Sequence, residues 1–437
     1  MDGRDASASN DVREPRMKSP DRSQVDPNPK IIDDLIPREH KARMVWELVE
    51  NLDMTGLYKQ IRAVEGHPGR APIDPRILTA LWLYATDQGI ASARELGRRC
   101  RDCDPFKWIC GGVDVNYHTL SDFRTNHPEW LKEQVIANIA AIRAEGLANL
   151  DSIGQDGMRV RASAGNASFK RGEKLEQLLE DAERQWDDLQ DEFERDKKLS
   201  ARQQAAKERA AREKIERLKQ AQEELKEVAR QRERRKKGDG TSARASTTDA
   251  EARRMKMGDG GFRPAYNVEL ATDLDNLVIV GSDVVNAGGD SGQMEPMVQR
   301  IETEQSPLPE GAEYYVDGGF SNKEDIESVG RRGVIVFAPL KELKKQQKQG
   351  KDPYAAKSGD KPEVAAWRER MGTDEGKEKY KERCKTEWPN AVFRNHGLQR
   401  FLVRGLAKSK SIVMWHVLLH NLLRMVSLRA ERVLMAA

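Results

Sequence analysis

The chain has 437 residues, enough for two or three domains of ordinary size. Charged residues make up 34% of it and hydrophobic residues 38%, so we expect part of the chain to contribute little to a core. The 75 Lys and Arg residues nearly balance the 72 Asp and Glu residues, which excludes a protein that holds nucleic acid by bulk charge alone. Four cysteines in this length exclude a secreted scaffold held together by disulfides.

The first 150 residues divide into a polar tail and a helical domain. Residues 1–28 are rich in Asp, Ser, Pro and Arg, and we expect them to be disordered; they also lack the apolar stretch of a signal peptide, which favours a cytoplasmic location. Apolar residues recur at helical spacing through residues 31–150 and predict an all-α domain. Asp74 and Pro75 are typical of an N-cap and first helical turn, and Thr119 is the expected cap of a later helix.

The cysteines of this domain leave one metal site open. Cys100 and Cys103 form a CxxC pair, and Cys110 with His118 can complete a four-ligand zinc set. Because a second CxxC pair is missing, buried thiols on helical faces are the favoured interpretation.

Residues 171–237 differ sharply in character from the sequence around them. Apolar residues from Leu175 to Phe193 alternate by three and four among charged ones, and the spacing resumes from Ile215 to Val228 after a polar break. This pattern predicts a coiled-coil-like helical hairpin inserted into another domain. Its role stays open between a solvated spacer and a contact with DNA or a second subunit.

The remaining sequence alternates between strand and helix signals. Strands are predicted at 153–163, 265–271, 277–285, 313–317 and 333–338, and helices at 292–304, 322–329 and from about 374 onward, with a solvated loop at 341–361. Three consecutive strands suit an antiparallel meander, and the later strands suit parallel additions with right-handed crossovers. The order β-β-β-α-β-α-β-α is that of a ribonuclease H-like fold. The sequence therefore predicts an α/β protein with a ribonuclease H-like domain at residues 151–170 and 238–425.

Three acidic residues stand out in this topology. Asp156 lies in the first strand, Asp317 ends the first strand after a crossover, and Glu387 lies in the helical region after the last strand. Each has a plain alternative: a turn before Gly157, an Asx turn at the strand end, or a solvated helix face. The first and fourth strands are expected to be neighbours, so the three carboxylates can converge.

Converging carboxylates repel each other unless cations neutralise them. Mg²⁺ fits such a site because it prefers hard oxygen ligands and retains open positions for water and phosphate oxygens. A pair of such ions, roughly 3.5–4 Å apart, stabilises both the attacking and the leaving oxygen of a phosphodiester displacement.

Several motifs resemble one family. Tyr380, Arg383 and Glu387 match the Tyr-x2-Arg-x3-Glu-x6-Lys signature of a group of DDE transposases from bacterial insertion sequences, and Arg394 stands where that family usually has Lys. The segments D-G at 156–157 and V-D-G-G-F at 316–320 resemble the strands that carry its first two acids. The likeness extends from about residue 31 to 425.

The resemblance implies DNA cleavage at the ends of an insertion sequence and strand transfer into target DNA. It assigns Asp156, Asp317 and Glu387 as catalytic metal ligands, with two Mg²⁺ ions expected and Mn²⁺ as a substitute. Tyr380, Arg383 and Arg394 are then expected near the DNA phosphates. The runner-up is an inactive or domesticated DNA-binding derivative of such an enzyme.

The partners follow from the same resemblance. The helical domain at 31–150 is the candidate for recognising the terminal inverted repeats. Four arginines cluster on one of its short predicted helices: Arg94, Arg98, Arg99 and Arg101. These arginines either lie along DNA or are ordinary surface charges. Two DNA ends must be handled, so we expect a homodimer on DNA. No membrane is expected, since the apolar stretch 412–423 is too short and too polar to span one.

Overall fold

The structure is a computed structural model. It describes residues 17–21, 31–63, 71–195, 200–234, 239–341, 343–350 and 352–436. Most of the tail expected to be disordered, residues 1–28, lies outside the described residues. The chain divides into two compact units, Met1–Ala137 and Asn138–Ala437.

The first unit is helical, as predicted. Its α-helices are α1 (Lys41–Glu50), α2 (Thr55–Tyr58), α3 (Pro75–Asp87), α4 (Ala93–Asp102), α5 (Asp104–Cys110), α6 (Tyr117–Asn126) and the start of α7 (Pro128–Ala144). Helix α3 is the central element, because every residue from Ile77 to Thr86 is buried. The indole N–H of the buried Trp82 has a hydrogen-bond partner, since Nε1 donates to the carbonyl of Leu120 at 2.9 Å.

The helix caps test the sequence signals directly. The predicted cap at Asp74 is confirmed, because its side chain accepts from the backbone N–H of Arg76 at 2.9 Å and Pro75 follows in the first turn. The predicted cap at Thr119 is wrong. The cap lies three residues earlier, at Asn116, whose side chain accepts from the N–H of Thr119 at 3.0 Å. Asn caps as well as Thr does, so the sequence there offered two competing signals.

The second unit is built on a mixed sheet with helices around it. Its elements are β1 (Ser152–Arg161), β2 (Phe169–Lys170), α8 (Gly172–Arg195), α9 (Ala201–Glu233), β3 (Ala245–Ser246), β4 (Arg253–Lys256), β5 (Phe262–Asp273), β6 (Ile279–Val285), α10 (Met294–Glu304), β7 (Glu313–Tyr315), α11 (Lys323–Gly330), β8 (Ile335–Phe337), α12 (Leu343–Lys348), α13 (Pro362–Gly372), α14 (Asp374–Tyr380), α15 (Glu387–Asn395) and α16 (Leu406–Ala436).

Strand β1 lies inside this sheet, antiparallel to β5 and parallel to β7. Strand β8 extends the parallel side beyond β7, while β6 and β4 both pair antiparallel with the far edge of β5. The predicted β5–β6 hairpin and the two strands separated by helices are therefore present. The short strands β2, β3 and β4 were not predicted, because two to four residues are too few for a period of two to be read.

The predicted helical hairpin is confirmed as helices α8 and α9. Cross-contacts such as Lys207–Glu192 and Lys219–Glu183 show that the helices run antiparallel. The apolar core of the hairpin is fully buried near its base, around Leu175 and Ala221. Most of its ion pairs are exposed and contribute little stability, so this small core determines how the helices pack.

The C-terminal region corrects two sequence expectations. The segment predicted as a solvated loop, 341–361, contains the short helix α12, and helical structure resumes already at Pro362. Helix α16 is long and apolar enough to cross a membrane by length and composition, yet 72% of its most apolar window is buried within the protein. Its buried Asn421 binds both the N–H and the carbonyl of Ile279, at 3.0 and 2.8 Å, which explains a polar residue in this apolar helix.

Candidate active site

The parallel pairing of β1 and β7 brings two of the predicted acids together. Ser152 pairs with Glu313 and Gly154 with Tyr315. Two residues further along each segment, Asp156 continues β1 and Asp317 follows the end of β7, so the two acids lie near the same end of this strand pair. Burial raises the pKa of Asp156 to about 6, and the nearby charge of Asp317 adds to this rise. The two carboxylates therefore interact, as the predicted topology required.

Asp317 also forms an Asx turn, which the sequence analysis gave as the alternative to a metal-binding role. Its Oδ1 accepts from the backbone N–H of Gly319 at 2.7 Å, an Asx turn directly after β7. The two interpretations are compatible, since the turn uses one oxygen and holds the carboxylate at the carboxyl end of a parallel strand. Ligands commonly bind at this end of an open sheet.

A close approach of the chain after α14 covers Asp156. A Cβ added to Gly154 would lie 2.2 Å from Cγ2 of Thr386, so only glycine allows this approach. One turn later, the Asn390 side chain donates from Nδ2 to Oδ2 of Asp156 at 2.7 Å. Asn390 is buried and was missed at the sequence level. Its position three residues after Glu387, on the same face of a helix, was the available signal.

Tyr380 and Arg383 are close enough to Asp156 for their side chains to interact electrostatically with it. The charge of Arg383 opposes the rise in the pKa of Asp156. Burial raises the pKa of Tyr380; Arg383 opposes this shift, while the charges of Asp317 and Asp156 add to it. The structure thus brings four predicted residues together: a carboxylate pair, a guanidinium and a phenol.

Glu387 lies at the edge of this group. Its side chain is 67% exposed, and its Oε1 accepts from Nη2 of Arg383 at 3.1 Å. Within the described part of the chain, no three His, Cys, Asp or Glu side chains are grouped to hold a metal ion. Glu387 therefore does not join the two aspartates in this conformation, and the Cys100–His118 set does not form a metal group either.

The predicted single helix carrying the signature is in fact interrupted. Helix α14 ends at Tyr380, a 3₁₀ helix covers Lys381–Thr386, and α15 begins at Glu387. A 3₁₀ helix has three residues per turn, so Tyr380, Arg383 and Glu387 do not share the face that they would share on a continuous α-helix. Arg394 lies exposed in the last turn of α15, two turns beyond Glu387.

The opposite face of the sheet carries a second buried polar group. Glu269 on β5 pairs with Gly157 across the strands and so lies on the face away from Asp156. Its carboxyl accepts from Gln155 at 2.9 Å and from Asn267 at 2.6 Å. Burial raises the pKa of Glu269 to about 8, with a smaller contribution from Asp290, so this carboxyl is mostly protonated at pH 7.

The arginines on α4 are partly neutralised by their own helix. Arg98 and Arg99 both pair with Glu95, and the guanidinium of Arg94 lies 5.3 Å from the ring centre of Tyr117. These contacts fit ordinary surface charges, and Arg101 is left exposed near the end of the helix.

Two family models match the chain. The model described as "Transposase domain (DUF772)" matches residues 30–126, and the model described as "Transposase DDE domain" matches residues 239–422. The second implies a ribonuclease H-like fold for the mixed sheet, and its family generally uses divalent metal ions. No curated protein and no solved structure gives a significant match. Residues 30–126 and 239–422 are therefore similar to transposase domains, and neither match covers half of the chain.

Proposed function

We propose that the chain is an active transposase that cleaves DNA at the ends of its insertion sequence and joins those ends to target DNA. One observation carries this proposal: Asp156 on β1 and Asp317, just after the paired strand β7, lie close enough to each other and to Tyr380 and Arg383 for their charges to interact. Burial raises the pKa of Asp156 and the charge of Asp317 adds to that rise, so a cation bound between the two carboxylates would relieve an unfavourable charge.

Two of the three proposed ligands have the chemistry that a divalent cation requires. Asp156 and Asp317 offer hard oxygens of the kind that Mg²⁺ prefers, with Mn²⁺ as a substitute, and we propose two ions. Such ions supply Lewis-acid chemistry for phosphodiester cleavage and transfer. Glu387 is the proposed third ligand. Its exposed ion pair with Arg383 is worth at most about 1 kcal/mol, so exchanging that partner for a cation costs little.

The remaining signature residues are proposed to hold DNA. Arg383 and Arg394 provide guanidinium forks that match phosphate oxygens, and Tyr380 provides a hydroxyl contact. Arg383 bridges the acids and the substrate, because it contacts Glu387 and lies in the field of Asp156. Arg383 would be free to bind a phosphate if Glu387 held a cation.

The domain roles follow the family matches. We assign residues 151–170 and 238–425 to a ribonuclease H-like catalytic domain, supported by the antiparallel β5–β6 hairpin and the parallel β7 and β8. We assign residues 31–150 to recognition of the terminal inverted repeats, in a homodimer on DNA in the bacterial cytoplasm. The alternative, an inactive DNA-binding derivative, has no observation in its favour, since all three acids and the Tyr380–Arg383 pair are present.

A strand-cleavage assay tests this proposal. The substrate ends come from inverted repeats bounded by short direct duplications in the DNA around the coding region. Oligonucleotides carrying those ends should be cut by the wild-type protein with Mg²⁺ or Mn²⁺, and the Asp156→Asn variant should not cut them. Asp151→Asn is the matched control, because Asp151 is an exposed carboxylate directly before β1. Equal cutting by Asp156→Asn and wild type would overturn the proposed mechanism.

A further inference from the structure

Two arginines lie side by side on the surface at the end of strand β1. Arg161, the last residue of β1, forms an isolated parallel bridge with Arg400, which follows α15 in the chain. Backbone hydrogen bonds hold this pairing. The N–H of Arg161 donates to the carbonyl of Gln399 at 3.2 Å, and the N–H of Phe401 donates to the carbonyl of Arg161 at 2.8 Å. Residues paired in this way project to the same face, so the two guanidinium groups share one surface.

Neither arginine has an acidic partner within the described part of the chain, although both are exposed. Three arginines of the adjoining strands each form an ion pair: Arg159 with Asp290, Arg253 with Glu224, and Arg263 with Asp259. Like charges directly opposite each other on paired segments are destabilising, and no carboxylate offsets the repulsion between Arg161 and Arg400. An anion from outside the chain would offset it.

The chain that carries Arg400 also links this pair to the proposed active site. Asn390 reaches Asp156 on β1, and further along the chain Arg400 reaches Arg161 at the end of the same strand. The distance along β1 from Asp156 to Arg161 is roughly 16 Å for an extended strand. Arg394, which lies between Asn390 and Arg400 in sequence, is exposed as well. This part of the chain therefore carries exposed positive charge from the Asp156 site toward the end of β1.

An extended polyanion fits this arrangement better than a small anion does. Duplex DNA rises about 3.4 Å per base pair, so roughly 16 Å corresponds to about five base pairs. Arginine guanidinium groups match phosphate oxygens, and phosphate contacts position DNA without reading its sequence.

We infer that Arg161 and Arg400 together bind the phosphate backbone of the duplex that flanks the cleaved bond, about five base pairs away from it. The inference rests on the proposed function, which supplies the position of the cut. It deepens that function by naming the surface on which the flanking DNA lies.

The salt dependence of DNA binding by the full chain tests the inference. The probe is a duplex that carries one inverted-repeat end, titrated by fluorescence anisotropy at several salt concentrations with EDTA present. The double variant Arg161→Gln with Arg400→Gln should bind more weakly. Its slope of log affinity against log salt concentration should fall by about 1.8, since each phosphate contact contributes about 0.9. An unchanged slope would overturn the inference, whereas Arg161→Lys with Arg400→Lys should retain most of the slope because lysine keeps the charge.

The matched control removes two exposed arginines that do have acidic partners. Arg331 pairs with Glu327, and Arg429 pairs with Glu145. Arg331→Gln with Arg429→Gln removes as much positive charge as the test variant, yet it should leave the slope unchanged. An equal fall in both double variants would show that bulk charge sets the slope, which contradicts a specific contact by Arg161 and Arg400.

Neutral methylphosphonate linkages locate the contact on the DNA. Each linkage near the inverted-repeat end is replaced in turn, and wild-type affinity should fall most for replacements about five base pairs from the cleaved bond. The same replacements should have little further effect on the Gln double variant. A loss of affinity as large in that variant as in wild type would overturn the inference.

Urea unfolding separates a DNA contact from a structural role. Removing two opposed like charges relieves their repulsion, so the urea midpoint of the Gln double variant at low salt should equal or exceed that of wild type. A lowered midpoint together with weaker DNA binding would indicate a structural role and contradict the inference.

The outcomes separate this inference from the proposed function. Wild-type protein that cleaves, together with a Gln double variant of unchanged slope, overturns only the role of Arg161 and Arg400. Wild-type protein that binds the duplex through this pair but does not cleave it with Mg²⁺ or Mn²⁺ supports the DNA contact and overturns the proposed cleavage. Wild-type protein that binds no DNA overturns both.

Discussion

Replacing Asp156 by Asn should stabilise the protein at neutral pH while abolishing its proposed activity. The pKa of this carboxyl rises from its ordinary value of 3.8 to about 6 in the fold, and burial is the largest cause. The folded state therefore keeps the proton over a pH range in which the unfolded chain has already lost it. Stability falls as pH rises from about 4 to 6 and stays reduced above that range.

The size of the effect follows from the shift. Each pKa unit corresponds to 1.36 kcal/mol, so a shift of about two units costs the folded state up to about 3 kcal/mol at pH 7.5. Asp156→Asn removes this cost, and the carboxamide still offers an oxygen to the Nδ2 of Asn390. The variant should be more stable than wild type by about 2–3 kcal/mol at pH 7.5 and nearly equal to it near pH 4.

Urea unfolding of both proteins in EDTA, at pH 4 and pH 7.5, measures this difference. Mg²⁺ should reduce the difference in unfolding free energy between the two proteins at pH 7.5, because a cation shared with Asp317 would stabilise the charged form of Asp156 only in wild type. Asp151→Asn, which removes an exposed carboxylate, should show no such pH-dependent gain. An Asp156→Asn protein less stable than wild type at pH 7.5 would refute the account of a strained, buried carboxylate.

Three further predictions concern the neighbours of Asp156. Asn390→Ala removes the hydrogen bond to the Asp156 carboxylate, and a hydrogen bond to a charged group is worth about 1.5–3 kcal/mol. The Mg²⁺ concentration needed for half-maximal cleavage should rise by roughly tenfold or more. An unchanged Mg²⁺ requirement would contradict a role of Asn390 in positioning Asp156. Gly154→Ala places a methyl group 2.2 Å from Thr386 and should lower the urea midpoint by an amount equivalent to about 1–3 kcal/mol. Adding Thr386→Ser to this variant should recover part of the lost stability. A loss that persists unchanged in the double variant argues against this contact. Arg383→Gln should weaken binding to end-bearing DNA and reduce the slope of log affinity against log salt concentration by about 1. Fluorescence anisotropy titrations at several salt concentrations measure this slope. An unchanged slope would exclude a phosphate contact by Arg383.

Local features of the fold were readable because neighbouring residues determine them. Asp74 caps α3 through the N–H two residues later, and the three-and-four spacing of apolar residues sets the packing face of α8 and α9. Such signals fail where two residues compete, as Asn116 and Thr119 do, or where a strand has only two residues. The 3₁₀ segment before Glu387 was missed for a related reason, since its sequence suits an α-helix equally well.

The sequence alone determined the succession of helices and strands, and it pointed to Asp156 and Asp317 through the segments that flank them. Only the tertiary structure decided which other groups face those carboxylates. Asn390 reaches Asp156 from 234 residues away, and no local spacing reveals the packing of Thr386 on Gly154 that accompanies this contact. The physical reason is that strand register and glycine-permitted close approaches, rather than helix or strand propensity, determine distances between segments remote in the chain.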